Sequence, residues 1–253
     1  MITRMAAWEQ TPELSVVLPC FDEAGNVENL VREIVAVIEP LGRSFEVIVV
    51  DDKSRDDTAA IAERLTASIP ELRVVRHSIN SGQSASLVTG FHHARGRLLV
   101  TLDGDGQNDP ASIPDLLNAL GSADCVCGVR RRRNDSFGRR LASRFGNGFR
   151  KLVTRDPTTD AGCNFRVIRA DVVRELPVFN GLHRWMPALM RYQGFTVVEC
   201  EVKHRARTAG VSKYRNLERG IRGLFDCIAM LWFRRRSVRA RRVVVEARST
   251  VHR

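Results

Sequence analysis

Four short apolar runs, each ending in polar residues, constrain the fold of this 253-residue chain more than any other feature. They are LSVVLP at 14–19, FEVIVV at 45–50, LRVVRH at 72–77 and RLLVTL at 97–102. Brief, β-branched runs of this kind suit strands buried on both faces, as in a parallel sheet. Between them the spacing turns helical. Val27, Leu30, Val31, Ile34, Val35 and Ile38 fall on one stripe, and Ala60, Ile61 and Leu65 follow the acidic pair Asp56 and Asp57. SGQSASLVTGFHHARG starts on small capping residues and stops at Gly96.

Parallel strands need crossover helices, so the alternation predicts a doubly wound α/β sheet with helices on both faces. A fifth strand is expected at 123–129, then a basic helix around 137–153, a turn-rich DPTTDAGCNF and shorter pieces to about residue 203. The chain carries neither an internal repeat nor a long low-complexity linker.

In an open parallel sheet, ligands bind beyond the carboxyl ends of the strands. The acidic residues cluster there: PCFDE follows the first run, DDKSRDD the second and DGDGQND the fourth. Asp103 and Asp105, alternate residues leaving a strand, can face one side of the crevice, with Gln107 on the next step. Two carboxylates and an amide oxygen make a hard-oxygen set for Mg²⁺ or Mn²⁺, leaving other positions for water and substrate phosphate. Asp51 and Asp52 close the second strand, where a carboxylate can accept hydrogen bonds from a base such as uracil or guanine. The other reading of that acidic stretch is charge at a helix N-terminus, which Asp56 and Asp57 supply more naturally.

The formal charge of +11 favours anionic partners. Its excess sits late in the chain: Arg130 to Arg133, Arg139, Arg140, Arg144, Arg150, Lys151 and Arg155 face Asp135 alone between residues 128 and 155. No aromatic-rich stacking strand, recognition helix or zinc finger accompanies this charge, which argues against nucleic acid. The six cysteines lack C-x-x-C spacing and are read as reduced packing residues of a cytoplasmic protein. No apolar run reaches the roughly 18 residues of a spanning helix, and no signal peptide is expected at the start.

Taken together, SVVLPCFDE, EVIVVDDKSRDDT, NSGQSASLVTGFHHARG and LDGDGQNDP resemble the catalytic domain of family-two glycosyltransferases, which have the GT-A fold. The later GVRRRRNDSFGRRLASRFGN, DAGCNFRVIR and VKHRARTAGVSKY resemble the polyprenyl-phosphate sugar transferases of the dolichyl-phosphate mannose synthase group. The likeness runs from about Glu13 to Tyr214. It implies an N-terminal extension at 1–12, a catalytic domain at 13–214 and a basic helical tail at 215–253.

What the resemblance implies can be placed residue by residue. Pro19, Phe21 and Glu23 would frame the nucleotide, Phe21 standing where the group usually has Tyr. Asp51 and Asp52 would take base and ribose, with Gly104 also on the donor side. Asp103, Asp105 and Gln107 would hold the metal. Arg130, Arg139 and Ser143 would bind the acceptor phosphate, and Arg207 and Lys213 would close over the donor diphosphate. Asp105, Arg130 and Arg139 would carry the chemistry. The implied activity is inverting, metal-dependent transfer of a sugar from a nucleotide donor, GDP-mannose first and a UDP-sugar second, to dolichyl or undecaprenyl phosphate.

A phosphate monoester is already largely dianionic at pH 7, its second pKa being about 6, so such an acceptor needs no general base. The demand shifts to holding two anions together, which a cation and arginines can meet. A phosphatase using the first Asp of D-x-D-G as nucleophile is the competing enzyme reading. That motif normally follows a first strand, whereas three βα units precede LDGDGQ. Near the C-terminus Ile221, Leu224, Phe225, Ile228, Leu231 and Trp232 recur at helical intervals between arginines. Such a helix suits the cytosolic surface of a membrane or packing on its own domain. Further anchorage would fall to a partner subunit or a homo-oligomer.

Overall fold

A computed structural model describes residues 11–130, 148–206 and 216–237. The expected alternation opens the chain: β1 (Leu14–Cys20), α1 (Val27–Ile38), β2 (Phe45–Asp51), α2 (Thr58–Leu65), β3 (Leu72–Arg76), α3 (Gln83–His93) and β4 (Leu98–Thr101). After it come α4 (Ile113–Leu120), β5 (Cys125–Arg130) and the described part of a helix at 148–154, here α5. The remainder is β6 (Arg166–Arg169), α6 (Ala170–Val173), α7 (Leu182–Gln193), β7 (Val197–Val202) and α8 (Asn216–Arg236).

All seven strands form one sheet in the order β3-β2-β1-β4-β6-β5-β7. The β1, β2, β3 and β4 pairings are parallel, and β5 is parallel to β7. Strand β6 departs from the doubly wound pattern by lying antiparallel between β4 and β5. Its RVIR is too short to announce a direction, and only its partners' registers set one.

Alternating strand residues feed two cores. On one face Leu14, Val16, Leu18, Val47, Val49 and Val100 pack under the stripe of α1, where Val27, Leu30, Val31, Ile34 and Ile38 are buried. On the other, Cys125, Cys127 and Ile168 pack under α7 through Trp185, Met186 and Leu189. Cys125, Cys127 and Cys163 are all buried, in keeping with their reading as packing residues.

Helix α8 presents two different faces. Cys227 and Met230 are buried in the second core, while Phe225, Ile228 and Trp232 stand 67%, 59% and 63% exposed. Packing on the domain therefore accounts for one side of the helix only. Among the described residues no helix is long and apolar enough to cross a membrane.

Below α7 a buried acid ties three elements together. Asp156 accepts from Arg150 Nη1 at 2.5 Å, from Arg191 Nη1 at 2.6 Å and from Thr158 Oγ1 at 2.8 Å. Removing one partner of such a group strands the other charges away from water. Asp156→Ala is expected to lower unfolding free energy by about 3 kcal/mol, measured by urea denaturation.

Candidate active site

The sheet changes direction at β1, whose neighbours β2 and β4 lie on opposite sides, and the crevice opens beyond their carboxyl ends. Pro19 lies in β1 where its missing N–H faces the β4 side. There β4 has already ended, at Thr101 opposite Val17, so no ladder bond is lost. Gly104 packs into that gap: a Cβ on it would stand 2.8 Å from the Pro19 carbonyl oxygen and 2.7 Å from Cys20 Sγ. Gly106, at φ +70°, then turns the chain back.

This path puts Asp103 and Asp105 side by side. Asp103 Oδ1 accepts from Gln83 Nε2 at 2.6 Å and from Asn164 Nδ2 at 3.1 Å. Burial first, and then the neighbouring Asp105 carboxylate, push the pKa of Asp103 from 3.8 to about 6, against the pull of Asn164, Arg130 and Arg166. A divalent cation between the acids would relieve that repulsion, so the oxygen donors present fit Mg²⁺ or Mn²⁺. Among the described residues no group of three or more His, Cys, Asp or Glu could hold a metal, so such an ion would rely on this pair with Gln107, water or substrate. The Gln107 backbone is fixed at both ends: its N–H donates to Asp105 Oδ1 at 3.1 Å and its carbonyl accepts from the Arg205 N–H at 2.8 Å. Arg205 in turn bridges Asp109 and Glu33, at 2.5 and 2.7 Å.

The loops after β1 and β2 are stitched together. The Asp22 N–H donates to Ser54 Oγ at 2.9 Å, the Arg55 N–H to Asp22 Oδ1 at 2.7 Å and the Glu23 N–H to Thr58 Oγ1 at 2.7 Å. Asp22 and Lys53 take positive φ of 54° and 61°, a conformation side chains rarely adopt. Arg55 lies over the Phe21 ring, 5.3 Å from its centroid, so the ring expected to frame a nucleotide is stacked on a cation. The Cys20 thiol reports how tightly these acids converge. Its pKa is raised by burial, then by Glu23, Asp51, Asp105 and Asp56.

Asp51 and Asp52 are both buried. Asp51 receives only long bonds from the Ser54 N–H, at 3.3 and 3.4 Å. Asp52 accepts from the Ser81 and Gly82 N–H groups at 2.8 and 2.7 Å, and its Oδ1 meets His77 Nδ1 at 2.7 Å. Asp52 thereby shapes the loop that leads into α3.

Arg130 leaves β5 toward the crevice, and its Nε and Nη2 donate to the two Asp160 carboxylate oxygens, at 2.7 and 2.8 Å. That fork fixes the guanidinium plane and holds its pKa above the usual arginine value. Arg139, Ser143, Arg207 and Lys213 lie outside the described residues. Gln83, Asn164, Asp160 and His77 were not foreseen as site residues. Only the small polar run before α3 and the turn-rich DAGCNF hinted at them, because their nearness to the acids comes from tertiary packing.

The raised pKa of Asp103 has a stability consequence. The folded chain takes up this proton at about pH 6 and the unfolded chain near 3.8, so the cost of the charged form is full above pH 6 and vanishes below 3.8. Asp103→Asn is therefore expected to melt higher than the unsubstituted protein at pH 7.5, with the difference closing by about pH 4 in calorimetric scans.

The glycosyl transferase family 2 model matches residues 15–177. The dodecaprenyl-phosphate galacturonate synthase of Rhizobium johnstonii is 34% identical over 91% of this chain and 70% of its own length. The undecaprenyl-phosphate 4-deoxy-4-formamido-L-arabinose transferase of Edwardsiella ictaluri is 34% identical over 86% of this chain and 67% of its own. Among solved structures, glucosyl-3-phosphoglycerate synthase from Mycobacterium tuberculosis, in complex with Mg²⁺ and uridine diphosphate, superposes with a TM-score of 0.65 at 19% identity, covering 90% of this chain and 81% of that one. Mannosyl-3-phosphoglycerate synthase from Rubrobacter xylanophilus also gives 0.65, at 18% identity over 97% and 80% of the two chains. The acid-lined crevice, the GT-A architecture and the family match over more than half its length agree: this chain belongs to glycosyl transferase family 2.

Proposed function

We propose that the protein transfers a sugar from a uridine diphosphate donor to a polyprenyl phosphate at a membrane surface. One observation carries the reading: a close carboxylate pair, Asp103 and Asp105, shares a crevice with Arg130, an arginine locked in place by Asp160. The first serves a cation that accompanies a diphosphate, and the second serves an anionic acceptor. Relatives named for galacturonate and formamido-arabinose transfer to dodecaprenyl and undecaprenyl phosphate support it. GDP-mannose and dolichyl phosphate have no counterpart in those names. A uronic acid or an amino-pentose on an undecaprenyl-type lipid is accordingly the preferred pair. Family membership also favours transfer over the phosphatase and nucleic-acid readings.

The reaction needs no deprotonated side chain. An oxygen of the lipid phosphate attacks the anomeric carbon while the bond from that carbon to the diphosphate oxygen breaks, and uridine diphosphate leaves with the electron pair. Attack from the opposite side inverts the anomeric centre. Arg130 orients the attacking phosphate, and its clamp by Asp160 means little ordering remains to be done at that moment. Asp103 and Asp105 would hold Mg²⁺ or Mn²⁺, which when bound offsets charge on the departing diphosphate. The loops carrying Phe21 and Asp51 receive the nucleoside.

Lipid acceptors require access to a bilayer. Phe225, Ile228 and Trp232 form an exposed apolar stripe on α8, ahead of Arg235 and Arg236, and can enter the headgroup boundary while arginines hold acidic lipid.

Radiolabelled UDP-sugars offered with undecaprenyl phosphate and Mn²⁺ should yield a lipid-linked sugar, and no product from any uridine donor would reject the reading. Asp105→Ala should cut turnover about a thousandfold while leaving the melting temperature within a few degrees. The double variant F225S/W232S should lose at least about tenfold in affinity for vesicles containing acidic lipid, measured by co-sedimentation.

A further inference from the structure

Under the acidic step lies a charge that no carboxylate among the described residues neutralises. Arg166 in β6 is 1% exposed, and its Nη1 donates to the His183 carbonyl at 2.7 Å and approaches Met186 Sδ at 3.6 Å. Among the described residues its Nε and Nη2 have no hydrogen-bond partner. No carboxylate among the described residues pairs with it. Buried cations are ordinarily matched by acids, and replacing them with apolar side chains is often neutral or stabilising, so stability alone gives no account of this residue.

The sheet register shows where the charge points its influence. Thr101 of β4 lies opposite Arg166, and continuing that antiparallel ladder brings Asp103 opposite Asn164, where the two side chains meet at 3.1 Å. Arg166 thus sits two residues deeper than Asn164, about 7 Å below the crevice floor. Cys127 faces it across β5, and Met186 covers it. Both neighbours are buried and keep water away, so the field of the guanidinium reaches the crevice weakly screened.

We propose that Arg166 is a buried electrostatic floor for the reacting phosphates, favouring the anionic ligands from beneath without touching them. The inference rests on the transferase reading above. It predicts opposite signs for the two kinds of ligand, because the same positive charge that attracts a diphosphate repels a free cation. A merely structural arginine would affect both in the same direction.

Calorimetric titration separates these cases, using Mn²⁺ alone and then UDP at saturating Mn²⁺. R166M, close in length but uncharged, should bind UDP about tenfold more weakly and Mn²⁺ alone more tightly. R166K, which keeps the charge but loses the fork, should match the unsubstituted protein in both. An R166M that weakens both ligands together, or changes neither, overturns the proposal. If R166M does not fold, R166K decides: retained UDP affinity supports the electrostatic floor, and a tenfold loss in folded R166K overturns it. Unsubstituted protein that binds no UDP with Mn²⁺ would remove the transferase reading and this inference with it, an outcome distinct from an insensitive R166M.

Discussion

Two carboxylates set one residue apart, one of them taken largely out of water, are the constraint around which the crevice is arranged. Left to themselves, Asp103 and Asp105 would separate into water. They are kept together because Gly104 packs where any side chain would strike the Pro19 carbonyl and Cys20. Gln83 from α3 and Asn164 from the segment before β6 hold Asp103 from two further directions. Desolvation first, and the Asp105 charge second, raise the pKa of the Asp103 carboxyl to about 6. On the proposed reading, a cation bound there would offset the charge of both acids.

The other bank of the crevice is held by arginines paired with acids. Arg130 is immobilised by Asp160, and Arg205 ties Asp109 and Glu33 to the strand of chain that runs beside Gln107. Each arginine is thereby oriented before any ligand arrives, which spares the ordering cost that long side chains carry. Much of the crevice is framework of this sort. Asp52 illustrates it: its carboxylate accepts from two backbone N–H groups of the loop before α3 and meets His77.

Helix α8 is seated on one side and exposed on the other. Cys227 and Met230 seat it in the second core, and Asp226 accepts from Trp185 Nε1 of α7 at 3.4 Å. Its opposite stripe remains apolar and exposed. One helix thus combines a fixed attachment to the second core with an exposed apolar stripe.

The sequence by itself determined the alternating elements, the first four strands to within a residue or two, and the acidic tips that follow β1, β2 and β4. All of these are local properties, set by side-chain period and by the turn residues next to each run. It also brought Asp103 and Asp105 to attention, because they follow a strand whose position the period reveals, and Arg130 through its basic run and the family resemblance. Only the tertiary structure decided that β6 runs antiparallel, and with it that Asn164 meets Asp103, that Asp160 clamps Arg130 and that Arg166 lies buried beneath. RVIR reads the same in either direction. Its orientation, and every contact that follows from it, depends on pairing with β4 and β5, strands that lie dozens of residues earlier and that no periodicity in the chain connects to it.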